Sequence, residues 1–272
     1  MGYSPARVSP YECVHRSVAA ELDGQWGSGG AAIVGWLREL RPQTPVNVTP
    51  WFNIPSIARN TTLAPDCLRL SAAPAAWTRA LRSAVWEGSI NVTAGAAPVS
   101  LPSAVSQTGR ALWLEFSFIS WGGCNSRLPN ETIANLPSAN WSVLILSSGP
   151  GRQGDEFTTI RSSPMSLSVD LSSSSLSPDI GRSTYTAPVS AQGAAIGGFR
   201  GFTVLVDANA LEIFAHTDVL GEAVISAFAY PSLSASTGVY VALDPGADTT
   251  ACFSAAAYAM PQANLASLGP NP

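Results

Sequence analysis

The sequence predicts an all-β protein, an antiparallel sandwich or barrel. Two observations carry that expectation. Nine short runs of β character recur after residue 100, each set off by Gly, Ser or Pro. One of them, "ALWLEFSFI" (111–119), sets Leu112, Leu114, Phe116 and Phe118 against Trp113, Glu115 and Ser117. That is a period of two, with one face apolar throughout and the other mixed.

The elements follow in chain order. Residues 1–30 show no clear period and are rich in Gly. "AAIVGWL" (31–37) has the length and apolarity of one buried strand. "APAAWTRALRSAVW" (73–86) places Trp77, Ala80, Leu81, Ala84 and Val85 on one face at helical spacing, so a short helix is expected there. Then come the nine runs: 111–119, 142–147, 156–161, 165–171, 202–207, 211–216, 223–230, 238–243 and 252–260. The tract "LSSSSLS" (171–177) reads as a loop, and "ANLASLGPNP" (263–272) as a disordered tail.

Composition excludes some functions. The chain is 46% hydrophobic and 12% charged, with a net charge of −4. All 14 basic residues are Arg, and they form no cluster, so no nucleic-acid partner is expected. No run of about 18 apolar residues occurs, so no membrane span is expected. Cys13, Cys67, Cys124 and Cys252 lie far apart without a Cys-x-x-Cys pair, so neither a metal site nor a cofactor is expected. Four cysteines allow three pairings, and the sequence does not choose among them. Five sequons, at Asn47, Asn60, Asn91, Asn130 and Asn140, are glycosylation candidates. They point to an extracellular or vacuolar, secretory lineage, although no signal peptide is visible.

The stretch "LVDANALEIFA" followed by "AVISAFAYPS" resembles the closing hairpin of the C-terminal domain of glycoside hydrolase family 32, the invertases, inulinases and fructan hydrolases. Asp207, Glu212, Phe214, Tyr230 and Pro231 match the family's signature, and Asn209 stands where the family has Ser. "LSVDLSSSSLSPDIGRSTYTAPV", "IPSIARNTTLAPDCLRLSAAPAAWTRALR" and "TTACFSAAAYAM" are similar to further family segments, in the right order. The resemblance implies a β-sandwich of two antiparallel sheets over residues 54–262. Residues 1–53 would then be a remnant of a preceding catalytic propeller, or a linker.

The family's chemistry resides in that propeller. It uses a nucleophile Asp in Trp-x-Asn-Asp-Pro, an Asp in Arg-Asp-Pro and an acid/base Glu in Glu-Cys-Pro. A retaining glycosidase needs two carboxyls about 5–5.5 Å apart, one ionised and one protonated. This sequence has no Arg-Asp pair, and "WFNIP" (51–55) puts Ile54 where the nucleophile belongs. Glu12, beside Cys13, is the one catalytic echo, with Val14 in place of Pro. The expectation is therefore the sandwich portion of a β-fructofuranosidase-like enzyme, inactive alone. The complete enzyme would take sucrose or fructan as its carbohydrate partner. Bared of its propeller, the sandwich face is expected to self-associate. The alternative is a non-catalytic carbohydrate-binding or protein-interaction module.

Other residues read structurally. Asp207 is expected to hydrogen-bond backbone at its turn. Glu212, alternating with Leu211 and Ile213, is expected to face solvent or a domain interface. His15 and His216 read as surface or satisfied histidines. Trp77, Trp86, Trp113 and Trp121 read as core residues, with a sugar-stacking platform as the alternative.

Overall fold

A computed structural model describes residues 31–33, 36–38, 53–55, 57, 59–63, 70–125, 140–163, 166–177, 184–188, 201–216, 220–244 and 250–261. Early in the chain lie β1 (Ala31–Ile33), β2 (Trp36–Arg38), β3 (Asn53–Pro55), β4 (Arg59–Leu63) and β5 (Leu70–Pro74). A short 3-10 helix, Ala76–Leu81, leads into β6 (Ser83–Thr93) and β7 (Val99–Ser100). A five-residue helix, α1 (Ser103–Gln107), precedes β8 (Ala111–Trp121). The remaining strands are β9 (Trp141–Ser147), β10 (Thr158–Ser163), β11 (Ser166–Asp170), β12 (Thr184–Pro188), β13 (Gly201–Asp207), β14 (Ala210–His216), β15 (Leu220–Phe228), β16 (Gly238–Leu243) and β17 (Thr250–Ala259).

Two six-stranded sheets face each other. One has the order β12-β11-β10-β9-β16-β7, the other β15-β14-β13-β8-β17-β6, and the pairings within both are antiparallel. The fold is the expected two-sheet sandwich. Every one of the nine runs holds a strand, because alternation hands one face of each to a shared interior. Leu112, Leu114 and Phe116 of β8 join Phe202, Val204 and Val206 of β13 there. Trp141, Val143 and Ile145 of β9 meet them from the other sheet, with the Trp141 ring stacked 4.8 Å from Phe202. Each such buried side chain contributes about 1.5–3 kcal/mol.

Backbone detail sharpens the sandwich. The pairing of β9 with β16 slips between Gly238 and Tyr240, and Leu146 sits in the slip at φ 48°. That left-handed residue lets Ile145 and Leu146 both reach the interior, at 1% and 3% exposure. Gly201 opens β13 against Phe116, where an added Cβ would lie 1.9 Å from the Phe116 carbonyl oxygen. No side chain is compatible with that approach.

Two expectations are corrected. The helix over 73–86 is only the short 3-10 helix, and Ala84 and Val85 belong to β6, which pairs with β17. Pro74 closes β5 and delays the helix start, the eleven-residue β6 takes over from Ser83, and Trp77 and Leu81 remain 50% and 48% exposed. "AAIVGWL" splits into two strands in separate small sheets, β1 on β4 and β2 on β3. "LSSSSLS" is a loop as expected, but it is not solvated throughout: Ser174 and Ser175 are buried.

Candidate functional site

The hairpin that carries the resemblance is β13–β14. Its register runs from Gly201↔His216 to Asp207↔Ala210, so Ala208 and Asn209 form a two-residue turn. Ala208 takes φ 53°, the left-handed conformation that such turns favour. The turn is held by backbone: the Ala208 amide donates to the Arg110 carbonyl at 2.8 Å and the Ala229 amide to that of Asn209 at 2.9 Å. Asp207 is exposed, and among the described residues its carboxylate accepts no hydrogen bond. The expected side-chain cap is therefore replaced by main-chain pairing.

Glu212 projects from the opposite, outer face of the same sheet, yet it is only 5% exposed. The upstream chain covers it. The Ile57 amide donates to Oε1 at 2.6 Å, and Arg59 reaches Oε2 through Nη2 at 2.5 Å and Nε at 3.0 Å. The same guanidinium bonds Ser226 Oγ at 2.9 Å and lies 5.5 Å from the Phe214 ring centre. Burial pushes the Glu212 carboxyl above its ordinary value, against the pull of Arg59 and the Ile57 amide. Glu212 thus faces a contact within the chain: it fastens β4, and with it β5, onto β14 and β15. Phe214, 1% exposed, forms a second apolar cluster there with Trp113, Leu205 and Tyr258.

A second ionic group shares this outer face. Arg82 pairs with Glu115 and lies 5.1 Å over Trp113 and 3.9 Å over Tyr258. Trp113 Nε1 donates to Glu115 at 2.9 Å, and the Tyr258 hydroxyl donates to Glu87 at 2.7 Å. Burial and that bond push the Tyr258 hydroxyl up to about 12, so it remains a donor. His216 Nε2 meets Thr203 Oγ1 at 2.7 Å. Burial lowers His216 to about 4, despite nearby Glu115 and with help from Arg79, so the ring is neutral at neutral pH. Trp113 is fully buried, whereas Trp86 and Trp121 are half-buried and Trp77 is exposed; the four do not form one platform.

The sequence reading missed Glu156 altogether. This carboxylate has no exposed surface. It accepts from the Leu176 amide at 2.8 Å, the Ser232 amide at 2.8 Å, the Leu233 amide at 2.9 Å, Ser236 Oγ at 2.7 Å and the Ser232 hydroxyl. Three loops therefore meet on one side chain. Burial would raise its pKa, but the Ser232 hydroxyl, the Leu176 and Leu233 amides and the Ser236 hydroxyl outweigh burial and bring it down to about 2. A Glu inside the run "EFTTIR" was the only available signal, and alternation alone does not mark it.

Cys124 and Cys252 form a disulfide, with Cα atoms 4.8 Å apart. Tyr230 is buried and stacks on Phe228 at 6.2 Å, and Pro231 is buried beside it. Glu12, Cys13, Asn47, Cys67 and Asn130 lie outside the described residues. Among the described residues no group of His, Cys, Asp and Glu has the arrangement of a metal site. No described helix is long and apolar enough to cross a membrane.

Fold and site together define a two-sheet antiparallel sandwich whose buried carboxylates are tied to cations, amides and hydroxyls. The family model described as the C-terminal domain of glycosyl hydrolases family 32 matches residues 82–258, and the chain belongs to that family. No curated protein matches the chain by sequence. Solved structures that resemble it include an exo-inulinase from Aspergillus awamori, with TM-score 0.62 and 16% identity over 84% of this chain and 40% of that one. A fructan 1-exohydrolase IIa from Cichorium intybus gives TM-score 0.61 and 14% identity, over 86% of this chain and 46% of that one. A family 32 β-fructofuranosidase from Bombyx mori gives 0.54 and 15%, over 87% and 39%. The chain spans less than half the length of each, and these likenesses carry the fold.

Proposed function

We propose that this chain is the sandwich portion of a β-fructofuranosidase-type glycoside hydrolase and that it does not cleave sucrose or fructan by itself. One observation carries the reading. The buried carboxylates among the described residues are already committed: Glu212 to Arg59 and Ile57, Glu156 to five donors. Glycoside hydrolysis requires one carboxyl free to attack or activate water and a second, protonated, to donate. Glu156, held ionised at about 2 and sealed from solvent, does neither. In the complete enzyme, hydrolysis of the fructosyl bond of sucrose or fructan belongs to the propeller.

The upstream strands fastened by Arg59 support a structural role, because they carry chain directly onto the sandwich. Trp77 and Leu81, half exposed beside that junction, supply apolar surface for contact with the propeller or, without it, with a second copy. The test is to purify residues 1–272, incubate them with sucrose and with inulin, and measure released fructose. No release above background is expected. Turnover within about tenfold of an intact invertase, a span smaller than general acid catalysis alone supplies, overturns the reading. Light scattering tests the contact: growth of a dimer with concentration is expected, and a monomer throughout counts against it.

A further inference from the structure

We propose that Asn91 is an N-glycan acceptor whose sugar chain projects from the outer face of the sandwich at the open end of β6. The sequence Asn91-Val92-Thr93 has the acceptor pattern. Structure adds three independent observations. First, β6 ends the order β15-β14-β13-β8-β17-β6 among the described residues, and its burial alternates: Ile90 and Val92 are buried, while Ser89, Asn91 and Thr93 are exposed. Asn91 therefore points off the outer face, away from the interior. Second, the Cys124 amide donates to Asn91 Oδ1 at 2.6 Å. That bond fixes the carboxamide through its oxygen, and Nδ2, the atom that carries a glycan, makes no hydrogen bond among the described residues. Third, Asn91 is the cross-strand neighbour of Cys252, which is bonded to Cys124. A disulfide forms in the oxidising compartments where glycan transfer also occurs.

The transfer balances as follows. A lipid-linked oligosaccharide diphosphate is the donor. The bond from its anomeric carbon to the diphosphate oxygen breaks, a bond from that carbon to Asn91 Nδ2 forms, and the proton that Nδ2 loses is balanced on the departing diphosphate. The lipid diphosphate leaves. The folded sandwich keeps the Oδ1 bond to Cys124, because the product amide retains its carbonyl. A bulky, hydrated sugar at this position also guards a strand edge, where unpaired backbone otherwise templates aggregation. It keeps this end of the outer face clear, so a neighbouring domain approaches from the Arg59 and Arg82 end.

The experiment expresses the whole chain behind a secretory leader in a eukaryotic cell. Trypsin cuts after Arg82 and Arg110, and the peptide 83–110 holds Asn91 as its sole sequon. Peptide-N-glycosidase in heavy-oxygen water converts a glycosylated Asn to labelled Asp. Label in most copies of this peptide is expected, and its loss in Thr93→Ala, which leaves Asn91 and its bond to Cys124 in place. An unlabelled wild-type peptide, or label that persists in Thr93→Ala, overturns the proposal. Neither readout depends on hydrolase activity.

Discussion

Glu156 and Glu212 are both buried carboxylates, and their surroundings push them in opposite directions. Glu212 has a full positive charge against it, yet its pKa is raised. Glu156 is bonded by amides and hydroxyls alone, with Arg110 near enough to interact with its charge, and its pKa falls to about 2. The difference lies in geometry. Five donors converge on Glu156 from two loops, so the ionised form gains more hydrogen bonding than burial removes. Glu212 has one guanidinium, shared with Ser226, and one amide, that of Ile57, and desolvation dominates. A cage of three amides and two hydroxyls lowers a carboxyl here where a single direct salt bridge does not.

The largest effect should come from emptying the cage. Glu156→Leu leaves the amides of Leu176, Ser232 and Leu233 buried without an acceptor, and a loss of about 4 kcal/mol in urea unfolding is expected. Glu156→Gln keeps the shape but loses the charge, and should cost roughly half as much.

Breaking the ion pair from one side comes next. Arg59→Met strands a buried carboxylate and should cost about 3 kcal/mol, whereas Arg59→Met with Glu212→Leu should recover most of the loss. Recovery in the double variant would confirm that Glu212 is an anchor with little net stability of its own. A double variant as weak as the single one would break the comparison.

Acid separates the two carboxylates without mutation. Glu156 has a folded pKa below its unfolded one, so its contribution is present above pH about 4.5 and is lost as pH falls toward 2. His216, lowered to about 4, must stay neutral, so stability falls as pH drops from about 6.5 to 4. Each shift corresponds to a loss on the order of 3 kcal/mol. Glu212, raised, runs the other way: protonation relieves it. Melting temperature against pH should therefore fall in two stages. His216→Gln should flatten the upper stage, and Glu156→Gln the lower.

The smallest effect is at the hairpin turn. Ala208→Gly relieves a left-handed alanine, worth about 1–2 kcal/mol, but adds unfolded-state entropy of about 0.5–1 kcal/mol. A gain of about half a kcal/mol in thermal unfolding is expected.

Strands were legible where both the period and the burial followed from local sequence. "LWLEFSF" reads correctly because its alternate residues see different surroundings all along β8. The 73–86 stretch misleads because Trp77, Leu81 and Val85 suit either helical spacing or a turn feeding an edge strand. Long-range pairing with β17 decides the matter, and no local window contains it. The hairpin was legible through its family pattern, but the partners of Glu212 lie 155 and 153 residues away. Glu156 was illegible for the same reason: four of its five donors sit in one loop 76–80 residues downstream.

The Cys124–Cys252 bond ties the turn after β8 to β17 across a separation of 128 residues. It therefore encloses β9 through β16 in one covalent ring, while β6, β7 and β8 stay outside it. A protease that cuts anywhere between these two cysteines opens the ring but releases nothing. The nicked chain keeps its mass under non-reducing electrophoresis and separates into two pieces only once the bond is reduced. For a protein in a protease-rich medium, cleavage of the intervening loops becomes damage that the sandwich survives.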